Sequence, residues 1–143
     1  MKNIVITGAA GVLCSSFAEF LAEKGNNVAL LDINEQAANM AADKITSKGG
    51  IAKAYKCNCL DKDDIENVHK QILKDFGKCD VLINGAGGNN SKCTTEHEEY
   101  QDGDENATDF LSFFNIEQAG FNFVFDLNLK AVLLPSQVFM ADM

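Results

Sequence analysis

The sequence predicts an α/β protein built on a doubly wound parallel sheet, and three observations carry that prediction. Apolar strand-like runs alternate with amphipathic helical stretches through the first 87 of 143 residues. The connections between them are short, and glycine punctuates the helix ends. Two glycine-rich turns, Thr7–Cys14 and Asn84–Gly88, each follow a strand directly.

Each element follows from local chemistry. Lys2–Ile6 reads as a buried strand, and Thr7-Gly8-Ala9-Ala10-Gly11-Val12-Leu13-Cys14 turns from it into a helix. That helix is expected to bury Leu13, Phe17, Phe20 and Leu21 and to stop at Gly25. Asn27–Leu31 is a second strand, with Asp32 at its end. The next helix spans Asn34 to Lys48, turns Ala37, Ala38, Ala41 and Ile45 inward, and ends at Gly49-Gly50. Ile51–Cys59 reads as the third strand. Asp61 has the position of an N-cap, with Asp64 as its partner three residues on. Ile65, Val68, Ile72, Leu73 and Phe76 form the apolar stripe of the third helix, which Gly77 closes. Asp80–Asn84 is the fourth strand.

Right-handed crossovers place the strands in the order 3-2-1-4, a Rossmann-like arrangement whose switch point lies between strands 1 and 4. Both glycine turns open onto that crevice. Residues 88–115 interrupt the rhythm as an acidic insertion, too long for an ordinary strand–helix connection and therefore functional or poorly ordered. From Glu117 to Met143 the chain reads as a helix apolar on most faces, with Pro135 forcing a bend or an early end. The whole, 1–143, is one domain by size.

Composition removes several function classes. The net charge is −9, but seven carboxylates between residues 95 and 115 account for most of it. The chain has no arginine, which argues against a nucleic-acid partner. No apolar run is long enough to span a bilayer, and no basic-then-apolar leader opens the chain. Five cysteines without framework spacing suit a reducing cytoplasm. Cys57 and Cys59 lack further ligands for a metal and read as small buried hydrophobes.

The candidate chemistry sits at the strand ends. A glycine turn opening a helix aims backbone N–H groups at the positive end of a dipole, which suits a pyrophosphate. Thr7, Gly8, Ala10, Gly11, Val12 and Leu13 are the candidates for that contact. Asp32 is either a helix cap or an acceptor for a ribose diol, with Ile33 beside it. A carboxylate there repels a 2′-phosphate, and no cation follows in Ile33-Asn34-Glu35, so NAD is the expected cofactor rather than NADP. Asn58, with Cys59, is either a turn residue or a contact to an adenine edge. Asn84, Gly85, Ala86 and Gly87 are expected to lie flat beside the cofactor, with Asn84 tying adjacent strands together. His69 reads as a solvated helix residue, and His97 has no nucleophile beside it. Asn128 is an amide inside an apolar helix, where burial demands a defined partner.

Thr7-Gly8-x-x-Gly11, Asp32, Asn84-Gly85-Ala86-Gly87 and Asn128, in that order, resemble the N-terminal part of a short-chain dehydrogenase/reductase. The wording Gly11-Val12-Leu13-Cys14, Ile83–Asn90 and Phe125–Leu129 with Leu134-Pro135 is similar to the D-mannonate oxidoreductase (fructuronate reductase) subfamily. The turn departs from the common family pattern, which has glycines where this chain has Val12 and Cys14, and Asn58 replaces an acidic residue. The resemblance implies hydride transfer between nicotinamide and a sugar acid such as D-fructuronate or D-mannonate. It implies that Asn128 holds a water of the proton relay. It also implies that the last helix packs in a homo-oligomer interface of the full-length form. The family's serine and Tyr-x-x-x-Lys are absent from these residues: Tyr55 lies in a strand, and Tyr100 is followed four residues on by Asp104. The expectation is therefore an incomplete sheet and a cofactor-binding half that is inactive alone; the alternative is a non-catalytic dinucleotide-binding module or NAD sensor. Lys92, near Asn89 and Asn90, is the local candidate for a substrate carboxylate.

Overall fold

Mostly apolar runs make the strands, and their alternate residues feed two separate cores. The computed structural model describes residues 1–143. Its strands are β1 (Asn3–Thr7), β2 (Asn27–Asp32), β3 (Ile51–Lys56) and β4 (Val81–Asn84). All pair in parallel in the order β3-β2-β1-β4, as the alternation predicts. Register places Thr7 beside Leu31 on one flank and Asn84 on the other, so both glycine turns leave the same end of the sheet.

Helices α1 (Val12–Glu23), α2 (Glu35–Ser47) and α3 (Lys62–Asp75) connect the strands. Ile4, Ile6, Val28 and Leu30 pack with Ala18, Ala22, Ala42 and Ile45 of α1 and α2. Val5, Ala29, Leu31 and Tyr55 pack on the other face with Ile65, Val68 and Ile72 of α3. Fully burying an isoleucine or leucine of this kind contributes about 1.5–3 kcal/mol.

The helix faces differ from expectation in one instructive way. In α1 the buried residues are Cys14, Ala18 and Ala22, while Leu13, Phe17 and Phe20 are exposed. The helix lies so close to the sheet that only small side chains fit between them, and the large ones turn outward. Leu73 of α3 is likewise exposed, and in α2 Ala42 is buried beside the expected Ala38 and Ile45 while Ala41 is only partly covered. β3 ends at Lys56, three residues before the expected limit, after which Cys57 N–H donates to Asp32 O at 2.9 Å.

The C-terminal region is not one continuous α-helix. α4 (Gln118–Phe125) runs into a π-helical turn at Asp126–Lys130, then α5 (Ala131–Phe139), which accommodates Pro135 inside it. Ala131, Val138 and Phe139 join the α3-side core, whereas Phe121, Phe123 and Phe125 are exposed. His69 is not solvated: it stands edge-on to Phe139, and its Nε2 is 3.2 Å from an Asp142 carboxylate oxygen. No helix is long and apolar enough to cross a membrane.

Candidate functional site

Two glycine turns meet at the carboxyl ends of β1 and β4. Gly8 holds a left-handed backbone (φ +61°), and a Cβ there would strike Gly85 O and the backbone of Ala86. Glycine is therefore required by close approach as well as by conformation. The Thr7 hydroxyl oxygen accepts from both Gly85 N–H (3.1 Å) and Ala86 N–H (3.2 Å), joining the turns. Gly11 caps α1 without a side-chain acceptor, and the first turn of α1 holds no acid. Gly11, Val12 and Leu13 border an open cleft of about 440 Å³. The uncapped N–H groups at this helix end are suited to an anion.

Asp32 closes the far side of this turn. One carboxylate oxygen accepts from Ala10 N–H at 3.0 Å and the other from Asn34 N–H at 2.9 Å. It is half-buried, and each oxygen keeps a second lone pair for a diol. Asn34, not Asp32, caps α2 through Ala37 N–H. Ile33 is exposed beside it. The Asn58 side chain forms a turn, its oxygen accepting from Leu60 N–H at 3.0 Å. Asp64 reaches back to Asn58 N–H at 2.7 Å, while Asp61 alone caps α3. Cys57 and Cys59 are buried. The Cys57 thiol is pushed up by its hydrogen bond with Cys59 and then by burial, so it remains a neutral core group.

Two side chains near the second turn differ from expectation. Asn84 does not tie neighbouring strands. Its amide donates to the Ser136 hydroxyl of α5 at 3.1 Å, and its buried oxygen has no partner. Asn128 is exposed rather than buried, because the π-helical turn carries it to the helix surface beside Gly88. There its oxygen accepts from Gly88 N–H (3.2 Å) and its amide donates to Gly88 O (2.7 Å) and Val124 O (2.7 Å). A Cβ on Gly87 would meet the Asn128 oxygen. Asn128 thus anchors the β4 turn to the helix that follows it.

The insertion begins at that anchor. Asn89 donates to the Thr94 hydroxyl at 2.8 Å, and the Asn90 oxygen accepts from Lys92 N–H at 2.9 Å. Asn89, Asn90 and Thr94, with Ser91, Thr95, Glu96 and Leu111, border an open groove of about 500 Å³. The Lys92 ammonium is 3.6 Å from Glu117, both largely exposed. That pairing, with Glu96 at the groove, leaves little net positive charge for a carboxylate.

The insertion is bonded within itself rather than loosely solvated. Glu96 N–H donates to Leu111 O at 2.9 Å. Asp104 is buried; its carboxylate accepts from Gln101 N–H (3.0 Å) and lies 2.9 Å from His97 Nδ1. The Gln101 amide, then the His97 contact, holds the Asp104 carboxyl below its ordinary range. Ser112 donates to Asp104 O, and Asn115 donates to Ala107 O and Phe110 O. His97 also packs at a tilt against Phe110, with ring centroids 4.6 Å apart.

Sequence reasoning missed the Thr7 clamp, the Ser136 partner and the Asp104 hub. A threonine immediately before a turn glycine was the one available signal; the others are non-local contacts between polar residues with no periodicity.

The family model for short chain dehydrogenase matches residues 2–143. An uncharacterized oxidoreductase of Haemophilus influenzae is 53% identical over 142 residues, which is 99% of this chain and 49% of that protein. An uncharacterized oxidoreductase, UxuB, of Bacillus subtilis is 41% identical over 96% of this chain and 48% of its own length. A crystal structure from Haemophilus influenzae, provisionally described as a D-mannonate oxidoreductase with bound NAD, superposes with a TM-score of 0.93. It is 50% identical and covers 99% of this chain and 50% of that one. The chain spans about half the length of these relatives.

Proposed function

The chain belongs to the short-chain dehydrogenase family, and on that premise we propose that it is the NAD-binding part of an oxidoreductase acting on a sugar acid, such as the D-fructuronate/D-mannonate pair. One observation carries the cofactor choice: the Asp32 carboxylate at the rim of the Thr7–Leu13 turn, with no lysine or arginine in the next three residues. A second phosphate at that position would meet an unneutralised negative charge. The NAD-bound relative at 50% identity supports the same cofactor, and its provisional description supports the substrate.

The glycine cradle fits a dinucleotide, since side chains at Gly8 or Gly87 would invade the turns that border it. NAD, when bound, supplies the hydride acceptor of an alcohol oxidation. The chain's own groups bind and orient. The N–H groups at the start of α1 take the pyrophosphate, and Asp32 takes the adenosine ribose. Asn58 and Cys59 border the adenine, and Gly85–Gly87 line the opposite wall. Asn128 fixes Gly88 and thereby the base of the substrate side, where Asn89 and Asn90 offer amides to substrate hydroxyls. No tyrosine–lysine pair stands ready to move the alcohol proton within these residues, so the 143-residue polypeptide is expected to bind without turnover. The exposed phenylalanines of α4 suit a homo-oligomer, and the free cysteines suit a cytoplasmic setting.

Fluorescence titration tests the cofactor assignment. The chain is expected to bind NADH at least about tenfold more tightly than NADPH, and Asp32→Ala to weaken NADH by about tenfold or more. Equal affinities for both cofactors, or an unchanged Asp32→Ala, would remove Asp32 from the role given it. Turnover of NADH with D-fructuronate by the 143-residue chain would overturn the expected inactivity.

A further inference from the structure

Cys14 stands where the common turn of this family has a glycine, and in the structure its sulfur lies against the backbone of Gly85. The Cys14 sulfur occupies the space that a side chain on residue 85 would need: a Cβ built on Gly85 would overlap it, and would also press on Thr7 O. Cys14 lies in the first turn of α1 and is buried with Ile4, Ile6, Ala9 and Ala18. Gly85 is the first residue after β4. A small residue is needed where a helix start meets the neighbouring strand's turn. In this chain it is on the β4 side of the contact, and a sulfur fills the α1 side.

We propose that Cys14 is a positioning residue whose thiol, seated against the bare backbone of Gly85, sets the spacing between the two turns that enclose the cofactor. The inference rests on the dinucleotide reading of the cleft for its effect on affinity, but the spacing itself is a property of the protein alone. Three contacts fix the same junction: Gly8 against Gly85 and Ala86, the Thr7 hydroxyl with both amides, and Cys14 against Gly85. The first two hold the turns together, and the third limits how close they come. A bulkier residue at 14 forces the β4 turn outward, because close-packed junctions absorb an extra methyl only by moving backbone. The thiol acts by shape. Burial, reinforced by the Asp32 charge, pushes its pKa up, so it is a poor nucleophile and not a reactive group.

The test uses the 143-residue chain with Cys14→Val and Cys14→Ser. Two quantities are read: the amide NMR signals of Gly85 and Ala86 without cofactor, and NADH affinity by fluorescence. Cys14→Val is expected to shift both amide signals and weaken NADH by about tenfold or more, with Cys14→Ser within about threefold of wild type. A folded Cys14→Val with wild-type Gly85 and Ala86 signals overturns the proposal, whatever its melting temperature. Equal losses in the two variants overturn it too, since they would tie the effect to the thiol's chemistry rather than its size. If wild type binds no NADH, the dinucleotide reading fails while the amide signals still decide the spacing. Should Cys14→Val not fold, Gly85→Ala presses on the same contact from the other side. Displacement of the Ala86 signal in that variant supports the proposal, and an unmoved signal overturns it.

Discussion

The second glycine turn runs directly into the 88–115 insertion at Gly88, yet the polar groups of the two turns and those of the insertion are settled in different ways. The turns at the sheet end are held by backbone contact. Gly8 lies against Gly85 and Ala86, one threonine hydroxyl spans two amides, and the α1 N–H groups beside them are left without a side-chain cap. The insertion spends its polar groups on itself. Asp104 alone takes a backbone amide and a histidine while its own carbonyl takes Ser112. Its apolar residues do little of the work: Phe113 and Phe114 are exposed. A region that keeps donors unspent is poised for a ligand, and a region that consumes them is organised for its own shape. The difference also separates energies. The sheet rests on two buried apolar clusters, whereas the insertion rests on individual hydrogen bonds worth about 0.5–1.5 kcal/mol each.

Three perturbations would break or sharpen that contrast. The largest effect belongs to Gly8→Ala, which combines a left-handed backbone with a collision against Gly85 O and Ala86. A loss of about 2–4 kcal/mol is expected in denaturant unfolding, with NADH binding abolished. A Gly8→Ala chain that is as stable as wild type would show that the turns are not in backbone contact. Ser112→Ala comes next. It removes a buried donor to Asp104 O at a cost of about 1–2 kcal/mol. Amide hydrogen exchange should speed up over residues 96–115 and stay slow in β1 and β2. Faster exchange throughout the sheet would mean that the two regions are one cooperative unit.

The smallest effect is the response to acid. The Asp104 carboxyl is held below its ordinary range in the folded chain, so its contribution is fully present above the unfolded carboxylate value, near pH 4. It is lost as pH falls through the lower folded value. His97 and insertion amides should therefore broaden or shift below about pH 4, before the sheet signals move. A Ser112-region spectrum that is unchanged down to the pH of global unfolding would remove Asp104 from its place at the hub of the insertion.

Much of the architecture was legible in the residues. Strand order 3-2-1-4, the turn positions and the acidic insertion follow from alternating apolar runs, glycine stops and a right-handed crossover, all of them local or chiral rules. The candidate cofactor residues were legible for the same reason, because Thr7, Gly8, Gly11 and Asp32 sit at strand ends that local patterning defines. The faces of α1 were not. Periodicity fixes which residues share a face but not how near the sheet comes, and the near approach selected Cys14, Ala18 and Ala22 over Phe17 and Phe20.

By itself the sequence determined the elements, their order and the end of the sheet where chemistry can occur, since these depend on residues adjacent in the chain. Tertiary structure alone decided the partners of its polar side chains. It sent Asn84 to Ser136, Asn128 to Gly88 and Asp104 to His97, and it placed the Cys14 sulfur over Gly85. Such pairings depend on close fit between segments distant in the chain, such as those of Asn84 and Ser136, 52 residues apart. No periodicity encodes them; packing does, because a polar side chain pairs with whatever donor or acceptor the fold brings within reach.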